Sequence, residues 1–309
     1  MKRGVKRITM AEKAQDSAPQ PLSAVRDAIA FARLIRIEYC VLGALGVITG
    51  GLLVVPSFPG VPLILSAVSV FLVAAGCYAL DDYFDRDTDA ANSRNDRPLL
   101  GGSLSLRAAA TTGAVAFALA GITAVIAGPW TAGIVITGAV AAMVYNRWLQ
   151  GIPVVKNVLL AGAFPAPILI GGFSTGSSSV ILWYAAGLAY VLGLGFEIMI
   201  DIGDAPGDQR TGVVTLSTTR GIRVAARASS AFLLAGTGVA MLPFFVHIDS
   251  RIQWDILFIV LISAAGLALG TVVMRLLWSP SPAPILALKL RAFTALHVFV
   301  LGYALGVLI

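Results

Sequence analysis

The chain has 309 residues, of which 58% are hydrophobic and only 12% charged, and its mean hydropathy is +0.87. A soluble domain carries about twice that charged fraction, so a soluble helical core of this size would lack the polar surface to cover it. The formal charge of +6 gathers at loops rather than on one face, which argues against a nucleic-acid partner; Cys40 and Cys77 lie in apolar stretches without CxxC spacing, so neither a disulfide framework nor a zinc or redox centre is expected.

Residues 1–21 begin polar, basic and aperiodic. No apolar stretch follows the first basic residues, so a signal peptide is not expected, and the segment reads as a disordered basic cytoplasmic tail. Residues 22–36 mix arginine with apolar residues at helical spacing, as an interfacial helix or the entrance to a first span does. Residues 22–309 then form one transmembrane domain. Nine apolar spans follow, at about 37–55, 62–83, 106–127, 130–147, 157–174, 179–200, 223–246, 254–277 and 289–309. Their length and lack of alternation predict an all-α, polytopic membrane protein bundled around a central cavity. Pro165 and Pro167 interrupt the fifth span. His247 and His297 are far apart and read as a loop and a helix histidine.

With the amino terminus in the cytoplasm, 21 of the 22 basic residues fall in the tail, in or beside cytoplasmic loops, or at span ends facing them. Arg251 is the exception. This asymmetry predicts the orientation and explains the high pI.

Ten of the 16 acidic residues occupy two short segments, at the cytoplasmic ends of the second and sixth spans. The first holds Asp81, Asp82, Asp85, Asp87 and Asp89, with Asp96 beyond. Asp81, Asp85 and Asp89 are four apart and share one helical face. The second holds Glu197, Asp201 and Asp204, again at helical spacing. Pro206-Gly207 is expected to end that helix and leave Asp208 on a turn. Crowded carboxylates repel, and such crowds are stable at neutral pH only with compensating cations. Hard divalent ions suit them, and magnesium favours one or two carboxylates plus substrate phosphate oxygens. Arg86, Arg94, Arg97 and Arg107 accompany the first cluster, Arg210 the second, and Arg147 and Lys156 lie between on the same face. Cations beside metal-binding carboxylates suit a diphosphate, whose oxygens the metals do not all neutralise.

The run DDYFDRDTDAANSRNDRPL resembles the first signature of the UbiA-type intramembrane prenyltransferases, and EIMIDIGDAPGDQRTGVVTL resembles the second. Tyr145, Lys156-Asn157 and Gly171-Gly172 are similar to the family's middle segment. The closest flavour is the branch making glyceryl ether lipids and chlorophyll side chains. The resemblance implies that Asp82, Asp85, Asp89, Asp201, Asp204 and Asp208 hold magnesium bridging to a prenyl diphosphate, and Asp81 joins the candidate ligands. Asp82, Asp85 and Asp204 are the candidate catalytic residues. Arg97, Tyr145, Lys156, Asn157, Arg86, Arg210, Glu197 and Tyr39 are the candidate substrate contacts. Ionisation of the C–O bond would give an allylic cation, which a lipophilic or aromatic acceptor attacks.

The sequence departs from the family pattern at several positions. Asp81 and Tyr39 stand where Asn is common, Phe196 replaces a frequent Arg, Ile200 and Gln150 frequent Lys, and Leu100-Gly101 a Pro-Ser. The lost cations and amides argue against a glyceryl phosphate acceptor. Asp81 also turns the first motif into DDYFD, which resembles the DDxxD of soluble terpene synthases. The competing expectation is therefore a membrane terpene cyclase on the same scaffold. A transporter is the third alternative, although the charges cluster at one face rather than along a pathway.

Overall fold

The computed structural model describes residues 21–55, 60–91, 97–144 and 155–308. Tyr145, Arg94, Asp96, Arg147 and Gln150 lie outside the described residues, as does the expected tail up to its last residue. Among the described residues the chain is all α-helix. The helices are α1 (Pro21–Leu34), α2 (Ile37–Val54), α3 (Val61–Phe84), α4 (Arg86–Ala91), α5 (Leu106–Ala127), α6 (Pro129–Val144), α7 (Val155–Ala161), α8 (Pro165–Ser174), α9 (Val180–Thr211), α10 (Leu216–Thr219), α11 (Ile222–Phe245), α12 (Ile256–Trp278) and α13 (Ile285–Gly306).

Eight helical segments among the described residues are long and apolar enough to cross a membrane. The expected fourth span is α6, a shorter apolar helix whose far end runs into the residues not described. The fifth is built from two pieces. The helix α7 stops at Ala161, and α8 restarts with proline in its first turn, where a missing N–H costs no bond. Packing follows a closed circuit: α2 against α3, α3 against α5, then α6, α8, α9, α11, α12 and α13, which returns to α2.

Across that circuit α2 lies directly on α8. A Cβ at Gly50 would sit 1.9 Å from the Ile168 carbonyl oxygen, and one at Gly171 would sit 1.9 Å from that of Val47. Only glycine permits this backbone contact, the usual way for helices in lipid to approach closely. The largest apolar core joins the inner faces of α9, α11, α12 and α13, with Phe196, Met199, Phe258 and Ile262 fully buried.

Two helix ends differ from expectation. Pro206 does not end α9, which continues to Thr211. A proline removes one intrahelical hydrogen bond, and inside a membrane bundle neighbours can compensate. The stop comes at Gly212, which takes φ 75° and donates its N–H to the Asp208 carbonyl. Asp208 therefore stands on the helix, one turn past Asp204, rather than on a turn. At the other cluster, α3 ends at Phe84 and Asp85 is its C-cap, after which α4 begins. The i to i−4 bonds from Asp85 N to Asp81 O (2.9 Å) and from Asp89 N to Asp85 O (2.7 Å) persist across this joint.

Candidate active site

The first cluster is built on the end of α3. Asp82 has a side chain only 1% exposed, and two guanidinium groups converge on its Oδ1: Arg36 Nη2 at 3.1 Å and Arg97 Nη1 at 2.9 Å. Its Oδ2 is buried and has no hydrogen-bond partner among the described residues. Arg36 also holds Asp81 at 2.8 Å, and Arg97 Nε lies 3.4 Å from Asp89 Oδ2. The Arg36 guanidinium stacks 4.6 Å from the centre of the Tyr78 ring.

Arg36 reaches these carboxylates because the chain breaks between α1 and α2. It takes φ 47°, a left-handed conformation unfavourable for a residue with a Cβ. Sequence reasoning passed it over, since an arginine at a span entrance looks like any topology signal. The usable clue was its place at the junction of an amphipathic helix and a continuous apolar one.

Asp85 lies at the helix joint, beyond the span. Burial pushes its carboxyl up to about 6, helped by Asp81 and Asp89 and opposed by Arg97 and Arg36. Arg86, expected to contact substrate, is exposed and among the described residues forms only a 3.8 Å pair with Asp87. Such surface pairs contribute little.

The second cluster lies along α9, where Glu197, Asp201, Asp204 and Asp208 recur at four, three and four residues. All four therefore share one face. Asp201 is 1% exposed. The helix α7 brings it two donors: Lys156 Nζ reaches Oδ1 at 2.8 Å and Asn157 Nδ2 reaches Oδ2 at 2.8 Å. Lys156 and Asn157, expected at the substrate, here orient a carboxylate. Arg210 is exposed in the last turn of α9, where a cation suits the helix dipole.

The downstream Gly and Thr-Leu of the second motif have a structural explanation. Gly212 stops α9, and Thr215 starts α10 through a reciprocal capping box with Thr218.

Between the clusters runs an aromatic wall. Tyr39 stacks on Tyr78 (5.3 Å) and Phe293 (4.2 Å), and Phe293 continues to Phe196 (5.9 Å). Lys289 Nζ sits 5.2 Å from the centre of the Tyr39 ring, and Lys289 and Lys156 both lie within electrostatic reach of Glu197. On α13, Ile285, Lys289 and Phe293 follow at intervals of four, and Ile285 packs against Gly203 of α9. Lys289 thus faces the second cluster, a contact that sequence separation conceals.

Among the described residues no three carboxylate, histidine or cysteine groups converge tightly enough to hold a metal ion by themselves. Magnesium does not require that, because one or two protein carboxylates plus phosphate oxygens satisfy it. The buried, unpartnered Asp82 Oδ2 and the carboxylate of Asp85 are hard oxygen donors on one cluster, and Asp204 and Asp208 supply others opposite. The residues present fit the ion.

Residues 44–307 match the UbiA prenyltransferase family. The chain belongs to the UbiA prenyltransferase family. Similar members include the digeranylgeranylglyceryl phosphate synthase of Methanopyrus kandleri, 30% identical over 243 residues, covering 79% of this chain and 88% of the relative. The enzyme of the same name from Methanothrix thermoacetophila is 29% identical over 273 residues, or 87% and 97% of the two chains. The apo structure of a UbiA homolog from Aeropyrum pernix K1 superposes with a TM-score of 0.71 at 19% identity, covering 86% of this chain and 98% of that one. A UbiA homolog from Archaeoglobus fulgidus bound to GPP and Mg2+ gives a TM-score of 0.66 at 19% identity, covering 90% and 99%. These superpositions show that this chain has the UbiA fold.

Proposed function

We propose that this UbiA-family enzyme transfers a prenyl group from a prenyl diphosphate to a lipophilic acceptor, with magnesium, at the end of the bundle that carries both carboxylate clusters. The observation that carries the reading is Asp82, a fully buried carboxylate with one oxygen held by two arginines and the other unpartnered. A buried carboxylate oxygen left without a partner is costly, and a metal ion or a donor aimed at Oδ2 would remove that cost. Bound magnesium would supply charge stabilisation for the departing diphosphate. Asp82, Asp85 and Asp89 would hold it on one side, and Asp204 and Asp208 on the other.

Asp201 is the best oriented of the carboxylates, since Lys156 and Asn157 fix both its oxygens. Each oxygen retains a second lone pair for a ligand. Arg36 and Arg97 are poised to share their charge with diphosphate oxygens. The wall of Tyr39, Tyr78, Phe293 and Phe196 offers an apolar, π-rich surface to the isoprenoid and to cationic character at its reacting carbon.

On the acceptor, Lys289 changes the expectation. The cations absent at Phe196 and Ile200 suggested that a phosphorylated acceptor was unsuitable, yet α13 delivers an ammonium group beside Tyr39. A polar or anionic head on a lipophilic acceptor is thus compatible with the site, in keeping with the glyceryl phosphate named for the relatives. Cyclisation is the less supported reading. Asp81, the residue that suggested it, is accounted for by its ion pair with Arg36.

Purified chain in detergent, given magnesium and a panel of prenyl diphosphates, should release pyrophosphate only when an acceptor is present, and EDTA should abolish release. Equal release without acceptor, with a cyclic hydrocarbon or terpene alcohol in the organic extract, would overturn transfer.

A further inference from the structure

Away from the carboxylates, at the same end of the bundle, a cavity of about 530 Å3 opens between the end of α12 and the start of α13. Thr271, Met274, Arg275, Trp278, Leu288 and Arg291 are among its lining residues. No acidic residue lines it, and neither arginine has an ion pair or side-chain hydrogen bond among the described residues.

Two unpaired guanidiniums on one cavity repel each other. Arg275 lies in the last turn of α12, where the helix dipole welcomes a cation. That account fails for Arg291, in the second turn of α13, where the dipole gives a cation no benefit. The N-cap of α13 is Pro284, which provides no side-chain cap; the Ile285 amide donates to the Pro282 carbonyl, while the amides of Leu286 and Ala287 that follow have no side-chain acceptor among the described residues. Three sources of positive potential therefore meet at one cavity.

The surroundings identify what would answer them. Met274, Leu277, Leu286 and Leu290 are at least half exposed on helices that cross the membrane, and Trp278 is 87% exposed at the rim. A tryptophan with lipid-facing leucines and basic side chains marks the level of lipid headgroups. A soluble anion would have no use for the apolar wall, and a peptide would have to displace lipid to reach it.

We propose that this cavity binds the phosphate of an anionic membrane phospholipid, held between Arg275 and Arg291, with an acyl chain lying along Met274 and Leu290. The site is separate from the prenyl-transfer centre, and its test does not depend on activity.

The test is native mass spectrometry of the full chain in detergent, titrated with phosphatidylglycerol or phosphatidylcholine, with inorganic phosphate as competitor. A basic residue at the membrane surface favours anionic lipid by about five-fold, so the pair should give roughly 25-fold preference for phosphatidylglycerol. The double variant Arg275→Gln/Arg291→Gln should lose it. Ala287→Glu, which places a carboxylate on the cavity wall, should lose it too and guards against misfolding of the first variant. The control Arg223→Gln/Arg227→Gln, which removes exposed cations of α11, should keep it. The proposal is overturned by equal binding of the two lipids, by preference surviving in both cavity variants, by its loss in the control to the same degree, or by displacement of the lipid by millimolar inorganic phosphate.

Discussion

Asp81 and Asp82 adjoin in the chain but not in environment. The side chain of Asp81 is 27% exposed and has one ion pair, whereas Asp82 is 1% exposed and has two. Asp82→Asn should therefore remove a magnesium ligand and leave Arg36 and Arg97 unmatched. Loss of a residue that merely orients a ligand costs about 10–100-fold in affinity or activity, so Asp82→Asn, which removes the ligand itself, should cost about 100-fold or more in kcat/KM. Asp81→Asn restores the residue common in the family and should stay within a few-fold of wild type. A larger loss at Asp81 than at Asp82 would show that the metal roles are misassigned. Lys289→Met makes a different prediction. It should raise KM for an anionic acceptor by about 10-fold, the worth of one charged contact at an exposed-to-buried boundary, while KM for the prenyl diphosphate is unchanged. A change confined to the diphosphate would place Lys289 with the leaving group. The two acidic clusters were legible because acid is rare elsewhere in the chain. Arg36 and Lys289 were not, because their partners lie 45 and about 90 residues away in the sequence and only packing brings them together.

At the level of elements, local rules predicted spans well and joints poorly. The apolar lengths located most helix ends within a few residues, since lipid leaves backbone groups no partner except one another; the exception is the sixth span, expected to end at 200, which runs on to Thr211 in α9. Pro206 shows the limit: a proline removes one hydrogen bond and crowds the preceding turn, which disfavours a helix without forbidding it, and α9 continues through it. The contact between α2 and α8 was likewise invisible, because glycine is frequent throughout the chain and only the fold shows which glycine is indispensable. Gly171→Ala puts a methyl group against backbone and should destabilise the bundle by about 1–3 kcal/mol or more. Gly138→Ala, with open space around its Cβ, should be neutral. Thermal unfolding in detergent separates the two; equal effects would mean that the helices can part at little cost.

The joint at the opposite end explains Arg251, the exception to the basic asymmetry. Its Nη1 and Nη2 donate to the carbonyls of Leu52 (3.0 Å) and Leu53 (2.8 Å), at the end of α2, and Nη2 also pairs with Asp249 at 2.6 Å. Helix ends leave carbonyls without partners, and a guanidinium there supplies them. Burial raises the Asp249 carboxyl, but the side-chain and backbone hydrogen bonds from Arg251 more than offset it and hold it below its ordinary 3.8. A depressed carboxyl stabilises the fold above its unfolded value and loses that contribution as pH falls through the folded value. The stability difference between wild type and Arg251→Gln should therefore be constant from pH 7 to about 5 and shrink below about 4. A difference that widens in acid would contradict the pairing.

Considered as a whole molecule, the bundle has two chemically different ends. Among the described residues, Arg26, Arg33, Arg36, Arg86, Arg97, Arg107, Lys156, Arg210, Arg220, Arg223, Arg227, Arg275, Lys289 and Arg291 gather at the carboxylate end, and Arg251 alone is at the other. Net charge contrasts the ends less sharply, because both acidic clusters share the basic one. Orientation in a membrane follows the lysines and arginines rather than net charge, and acids contribute little. The carboxylate end should therefore face the cytoplasm, together with the proposed transfer site. Two single cysteines test this: Ser177→Cys, exposed between α8 and α9, and Thr219→Cys, exposed at the end of α10. The natural thiols add little background, since Cys40 is buried and Cys77 half-buried within the spans. A membrane-impermeant maleimide added to intact cells should label Ser177→Cys and leave Thr219→Cys unmodified until the cells are opened. The reverse pattern would invert the molecule, and a prenyl diphosphate would then have to reach its carboxylates from outside the cell.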